Sequence, residues 1–297
     1  MKGKIVLITG VAKGGISYET CRVLLSLGAV VVMTMRNVKS GEETRRELIK
    51  ESKCLEEQAH VLSLDLADLR NVERFVEVFK TKFNSTCHVL INNAGLYNPL
   101  AKLTSDNIES HFGVNHLGHF YLTELLMDVL VKSKTRVIVV SSKLHEYYTP
   151  SEKLFTTKEE FYQNDGSKSK NDLYSRSKFA NILYCKKLDR IFQEKDTSND
   201  RACCVSLHPG LVTTSIATHG SFRTILLYKF LALISKDKVH GAQTSIHCAL
   251  IDRSEIKGGE YFKDCAISKS NPLTNDHQMQ DDLWELSLEL ISLCIKK

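Results

Sequence analysis

Nothing in the 297-residue chain is apolar for long enough to cross a bilayer. The best candidate, Thr224 to Ile234, falls far short of the roughly 20 residues a spanning helix needs and is interrupted by Lys229. It reads as a buried or substrate-covering helix, and an interfacial contact with one leaflet stays open. The nine cysteines, at 21, 54, 87, 185, 203, 204, 248, 265 and 294, form no C-x-x-C pair and are odd in number. That pattern argues against a disulfide framework and for reduced thiols, most of them small buried hydrophobes. The net charge of +5 comes without an arginine-rich stripe interleaved with aromatics, so no nucleic-acid partner is expected. The opening text "MKGKIVLITG" enters a strand at once, without the parts of a secretion signal, so the expected location is cytoplasmic. Repeats, low-complexity tracts and dividing linkers are absent as well, and a single domain over residues 1–297 is expected.

What is present is 42% apolar and 25% charged sequence, enough to bury a large core. Short β-branched runs alternate with helix-length segments. "KIVLIT" precedes Glu19 to Leu27, "AVVVMT" precedes a charged helix from about Lys39, and "HVLSL" precedes Leu69 to Phe83. "HVLIN" is followed by a long helix from about Asp106, "RVIVV" by a helix through Tyr174, and "ACCVSL" closes the series. Apolar strands separated by helices imply an α/β fold, a doubly wound parallel sheet with helices on both faces and ligands at the carboxyl ends of the strands. The segment Leu144 to Asp172 reads as a long loop with a short helix around Lys158 to Tyr162. The last stretch, "LWELSLELISLCIKK", has helical apolar spacing at Leu283, Leu286, Leu288, Leu290 and Ile291. A C-terminal helix at about 280–297 would cover the core or make a contact with a second copy.

The first strand runs into "ITGVAKGGISYET", a glycine-rich turn opening a helix. Backbone N–H groups there can meet a pyrophosphate at the helix N-terminus, while an ordinary flexible turn at Gly14 and Gly15 is the plain alternative. After "VVVMT", the text "MRNVKSGEE" has no acidic residue at the strand end, where an NAD enzyme would place a carboxylate against the ribose hydroxyls. Arg36 offers instead a planar fork suited to a 2′-phosphate. Tyr174 and Lys178 lie four apart, hence on one helix face. Among ten tyrosines about one such Y-x-x-x-K pairing is expected by chance, so the spacing alone decides little.

The order of these motifs, over about Gly3 to Tyr261, resembles the short-chain dehydrogenase/reductase family. The family loop T-G-x-x-x-G-I-G appears as "TGVAKGGIS", one residue longer, with Gly15-Ile16-Ser17 aligned on G-I-G and Ser17 in place of the last glycine, where it could cap the helix. The resemblance assigns Gly10, Lys13, Gly14, Gly15, Ile16 and Arg36 to the cofactor and, with Lys13 and Arg36, implies NADP(H) in preference to NAD(H). It places Asp65 of "LDLAD" at the adenine edge, although Asp65 or Asp68 would serve equally as a helix cap. Asn92 and Ala94 of "INNAG" would lie beside the cofactor. Val212 and Thr214 of "HPGLVTT" would meet the nicotinamide carboxamide.

In the family pattern Tyr174 is the acid/base, and a phenol with a pKa near 10 needs a neighbouring ammonium, Lys178, to work near neutrality. Ser142 of "SSK" would hydrogen-bond the substrate oxygen, and Asn115 of "VNH" would support a water relay to the lysine. Ser141 is the less favoured serine. A strand-end turn at Ser142 and a helix irregularity at Asn115 are the plain alternatives. His111, His116 and His119 have no compact metal-ligand spacing, and no metal is expected.

"TMRN", "HFGVNHLGHF" and "YSRSKFAN" resemble the retinol dehydrogenase-like subgroup. The expected activity is NADP(H)-dependent interconversion of an alcohol and a carbonyl, on a lipophilic retinoid- or steroid-like small molecule covered by a segment at about 215–236. Two readings stay beside it: a dinucleotide-binding regulator or scaffold, motivated by the irregular glycine loop, and a nucleotide-sugar epimerase or dehydratase. A homo-oligomer is a family expectation only.

Overall fold

The computed structural model describes residues 1–97, 99, 102–149, 155, 158–162, 169–210 and 238–296. Its centre is an eight-stranded sheet. The strands are β1 (Ile5–Ile8), β2 (Val30–Met35), β3 (Ala59–Ser63), β4 (Val89–Asn92), β5 (Arg136–Val140), β6 (Cys203–His208), β7 (Tyr261–Lys263) and β8 (Ala266–Ser268). Their order is β3-β2-β1-β4-β5-β6-β7-β8, parallel except for the final antiparallel β7–β8 pair. The order reverses between β1 and its two neighbours, β2 and β4. A doubly wound sheet opens its ligand crevice at such a reversal, at the carboxyl ends of the strands.

Strand side chains alternate between two cores, as a period of two requires. Leu7, Leu90, Val137 and Val139 face one core, with α3 (Leu69–Lys82), α5 (Gly118–Leu125) and α8 (Lys170–Lys195). Val6, Ile8, Val89, Ile91 and Ile138 face the other, with α1 (Ile16–Ser26), α2 (Val38–Ser52) and α9 (Lys238–Leu250). Since both faces are covered, the central strands read as unbroken apolar runs. Helix starts are chemically marked: Asn37 accepts from Ser40 N at 3.1 Å, Asp68 from Asn71 N at 3.0 Å and Ser169 from Asp172 N at 3.2 Å.

Several expectations change in detail. The helix expected from Asp106 begins at Ser110, as α4 (Ser110–Phe112), passes through a π-turn at Gly113–Leu117, continues as α5 and is followed by α6 (Met127–Lys132). The stretch read as a loop from Leu144 has its expected short helix, α7 (Glu159–Tyr162), but also carries a 3-10 helix, Lys143–Tyr147, and its last residues already belong to α8. Ser142 and Ser169 supply the caps that start two of these elements, a signal the polar composition concealed.

The C-terminal helix α10 (His277–Ile295) covers the core, burying Leu283, Leu286, Leu290 and Ile291. Leu288, expected on that stripe, is 43% exposed because it falls on the opposite side of the helix. Trp284 packs edge-on to Phe120 at 4.7 Å, and His116 shares a 2.9 Å hydrogen bond with Ser287. No helix among the described residues is long and apolar enough to cross a membrane. Val212, Thr214 and the segment from Thr224 to Ile234 lie outside the described residues.

Candidate active site

The glycine loop leaves β1 at Thr9. Gly10 has φ +68°, and a Cβ there would sit 2.7 Å from Ala94 Cβ and 2.8 Å from Ala94 Cα. Only glycine lets the ends of β1 and β4 approach so closely. Ala12 to Gly15 then form a turn closed by Gly15 N–H to the Ala12 carbonyl at 2.9 Å, with Gly14 at φ +75°. Ala12, Lys13 and Gly14 are exposed, and a Cβ on Gly14 would meet nothing within 4 Å. The longer loop therefore bulges into solvent.

Helix α1 starts at Ile16 with Gly15 as its N-cap, which offers no side-chain acceptor to the first-turn N–H groups. Ser17 does not cap the helix, contrary to expectation. It lies inside the first turn, and its hydroxyl donates back to the Gly10 carbonyl at 3.0 Å, pinning the loop to the helix. Lys13 pairs with Glu47 on α2 at 2.5 Å, which raises its pKa, the hydrogen bond being the main cause. Arg36 follows β2, exposed and without hydrogen bond or ion pair among the described residues. Asp65 accepts from Ala67 N at 3.0 Å, and Asp68 is the residue that caps α3. Asn92 is 1% exposed and donates to Thr123 Oγ1 at 3.3 Å, so its side chain points into the core.

The turn after β4 meets α8 through Asn115. The π-turn carries this side chain, which accepts from Leu96 N at 2.8 Å and donates to the Leu96 carbonyl and to Ser177 Oγ, both at 3.0 Å. An extra residue in a helical turn re-aims side chains, so the irregularity at Asn115 and its site-building contacts are one feature. Ser177 donates in turn to the Tyr174 carbonyl at 2.7 Å. Gly95 completes the junction: a Cβ there would lie 3.3 Å from Asn115 Oδ1 and 3.4 Å from Lys178 Nζ.

Tyr174 and Lys178 face the same space. The Lys178 ammonium lies 5.7 Å from the Tyr174 ring centre, and Tyr97 meets that ring edge-on at 5.1 Å. Lys178 is 3% exposed and donates to the Val140 carbonyl at 3.0 Å. Burial pushes its pKa down to about 8. Ser141 is buried and donates to the Lys178 carbonyl at 2.7 Å, whereas Ser142 is partly exposed and accepts from Leu144 N at 3.3 Å. The strand-end turn at Ser142 and an accessible hydroxyl thus coexist.

The three histidines are structural in their contacts. His111 bridges Glu109 and the Tyr97 carbonyl, each at 2.8 Å, while burial holds the pKa values of His116 and His119 down at about 3. Among the described residues no group of three His, Cys, Asp or Glu is placed to hold a metal. Thr9, Asn93, Gly95 and Ser177 take part in the junction without having been singled out from sequence, and His119, weighed from sequence and set aside as a metal ligand, joins them. "INNAG" was the available signal for Asn93 and Gly95. Ser177 had none beyond its neighbours.

Residues 4–157 match the short chain dehydrogenase family. Retinol dehydrogenase 12 of Homo sapiens is 36% identical over 295 residues, covering 99% of this chain and 88% of that protein. The chain belongs to the short-chain dehydrogenase family of oxidoreductases. Retinol dehydrogenase 14 of Homo sapiens is 37% identical over 309 residues, with 99% and 88% covered. The WW domain-containing oxidoreductase of Homo sapiens is 36% identical over 295 residues, with 97% and 68% covered. Among solved structures, an uncharacterised protein of Mycobacterium paratuberculosis superposes with a TM-score of 0.75 at 30% identity, covering 98% of this chain and 94% of that one. A short-chain dehydrogenase of Shigella flexneri, crystallised with NADP, shares the fold with a TM-score of 0.63 at 19% identity over 90% and 98% of the two chains.

Proposed function

We propose that the protein interconverts an alcohol and a carbonyl with NADP(H), on a lipophilic retinoid- or steroid-like substrate. The observation that carries the reading is the junction at Gly95, where Tyr174, Lys178 and Asn115 converge beside a glycine loop. A dinucleotide fits the residues present: Gly10 and Gly14 supply the left-handed turns of the loop, and α1 begins without a side-chain cap on its first-turn N–H groups. Arg36 is the group for a 2′-phosphate. Lys13 contributes through the loop backbone, its ammonium being paired with Glu47. Asp65 is assigned to the adenine edge, Ala94 to the cofactor face and Val212 and Thr214 to the carboxamide.

When bound, the nicotinamide would supply or accept the hydride. Tyr174 delivers a proton from its phenolic oxygen to the substrate oxygen during reduction and recovers it during oxidation. Ser142 donates a hydrogen bond to that oxygen as charge develops. With a pKa of about 8, Lys178 is still mostly an ammonium at neutral pH, and its charge favours the phenolate left after proton transfer. Asn115 holds the turn at Leu96 against α8, which keeps the tyrosine and lysine in register with the cofactor face.

The substrate class is supported by the retinol dehydrogenases among the relatives. The test is NADPH oxidation with all-trans-retinal, a steroid ketone and short aldehydes, comparing the protein with Tyr174→Phe. We expect turnover of the lipophilic carbonyls, lost by at least about a hundredfold in the variant while NADPH still binds. Undiminished turnover by Tyr174→Phe refutes the proton-donor assignment.

A further inference from the structure

We propose that His119 is a positioning residue: a neutral imidazole protonated on Nδ1, which sets the hydrogen-bond polarity of the Thr9 hydroxyl and so fixes the turn Asn93 to Gly95. This rests on the dinucleotide reading above. The ring is 2% exposed on α5, with Nδ1 3.2 Å from the Asn115 carbonyl and Nε2 2.8 Å from Thr9 Oγ1. A carbonyl oxygen only accepts, so Nδ1 carries the hydrogen. Burial lowers the pKa to about 3, with the charge of Lys178 acting in the same direction, so the second ring nitrogen stays bare.

Bare Nε2 can only accept, and the Thr9 hydroxyl donates to it at 2.8 Å in preference to the Ile91 carbonyl, which lies farther away at 3.4 Å. The hydroxyl oxygen then keeps both lone pairs for the two N–H groups that reach it, Asn93 N and Ala94 N, each at 2.9 Å. Every donor and acceptor in this buried network is matched, and reversing the imidazole tautomer would leave its Nδ1 lone pair facing the Asn115 carbonyl. Asn93 adds a second tie, donating from its side chain to the Thr9 carbonyl at 2.9 Å. One ring thus holds three parts together: the end of β1 before the glycine loop, the turn after β4, and the π-turn that carries Asn115. Its contacts run to backbone and to Thr9, so it acts through these groups on the residues that face the cofactor.

The experiment titrates the wild type, His119→Phe, His119→Gln, Thr9→Val and the Thr9→Val/His119→Phe double variant with NADPH by nicotinamide fluorescence. Imidazole ¹⁵N NMR of the whole chain at pH 6 to 8 reports the tautomer. We expect His119→Phe to weaken NADPH about tenfold, the order of a lost buried hydrogen-bond pair. Glutamine, which has both a donor and an acceptor, recovers most of that loss, and phenylalanine adds little once Thr9 is valine. A folded His119→Phe with wild-type affinity overturns the proposal, as does full additivity with Thr9→Val. Should the phenylalanine variant fail to fold, failure of glutamine to hold affinity within about threefold decides against it. If the wild type binds neither NADPH nor NADH, the cofactor reading fails and NMR decides the network by itself. Bare Nε2 with protonated Nδ1 upholds it, and the reverse tautomer or an imidazolium overturns it.

Discussion

Alanine at Gly10 and alanine at Gly14 separate two reasons for needing glycine in the same loop. Both residues have positive φ, +68° and +75°, so each substitution places an L side chain in the left-handed region at about 1–2 kcal/mol. At Gly14 the cost ends there, because a new Cβ meets nothing within 4 Å. At Gly10 the Cβ arrives 2.7 Å from Ala94 Cβ and 2.8 Å from Ala94 Cα, about 1 Å inside ordinary carbon contact. Ala94 cannot simply retreat, since its N–H is bound to the Thr9 hydroxyl at 2.9 Å. Overpacking of this kind adds about 1–3 kcal/mol, for a total of about 2–5 kcal/mol. Urea unfolding should show Gly10→Ala less stable than Gly14→Ala by the overpacking difference, with equal m-values. If the proposed cofactor site is right, NADPH affinity should fall with Gly10→Ala, because relief of the overlap pushes the turn after β4 outward. Equal losses in the two variants would refute the argument from close approach, since conformational strain alone would then account for both.

Two further outcomes follow from charges. Lys178 is held at about 8 in the folded chain against an ordinary 10.5, so between those values the unfolded chain binds more protons and stability rises with pH. The contribution, about 3 kcal/mol across that window, should vanish in Lys178→Met; equal pH slopes of the urea midpoint for the two proteins would contradict it. For Arg36→Ala, we expect NADPH to weaken about tenfold or more while NADH changes little, as removal of a phosphate-binding fork predicts. A parallel loss of both cofactors, read by fluorescence titration, would mean that Arg36 supports the loop and does not read the 2′-phosphate.

The alternating apolar runs were sufficient to specify the α/β class and, with the motif order, the two-faced sheet, because burial on both faces leaves a continuous hydrophobic signature. The pairing of Tyr174 with Lys178 was equally legible, since four residues on a helix bring side chains together without tertiary help. Ser17 was harder to read. Whether a serine near a helix start caps it depends on which backbone position begins the helix, and here Gly15 occupies that position and frees Ser17 to bind Gly10. Leu288 illustrates the same dependence, as its place in an apolar run does not say which side of α10 meets the core.

The sequence by itself determined the local conditions for this protein: strands, helices, a glycine turn and a tyrosine four residues before a lysine. Only the tertiary structure decided what those groups meet. Asn115 is 19 residues from Leu96 and 62 from Ser177, and Thr9 is 110 from His119, yet each pair shares a hydrogen bond. Such contacts follow from strand order and from a π-turn that rotates one side chain out of helical register. Local periodicity determines neither, because both arise from the packing of elements distant in the chain.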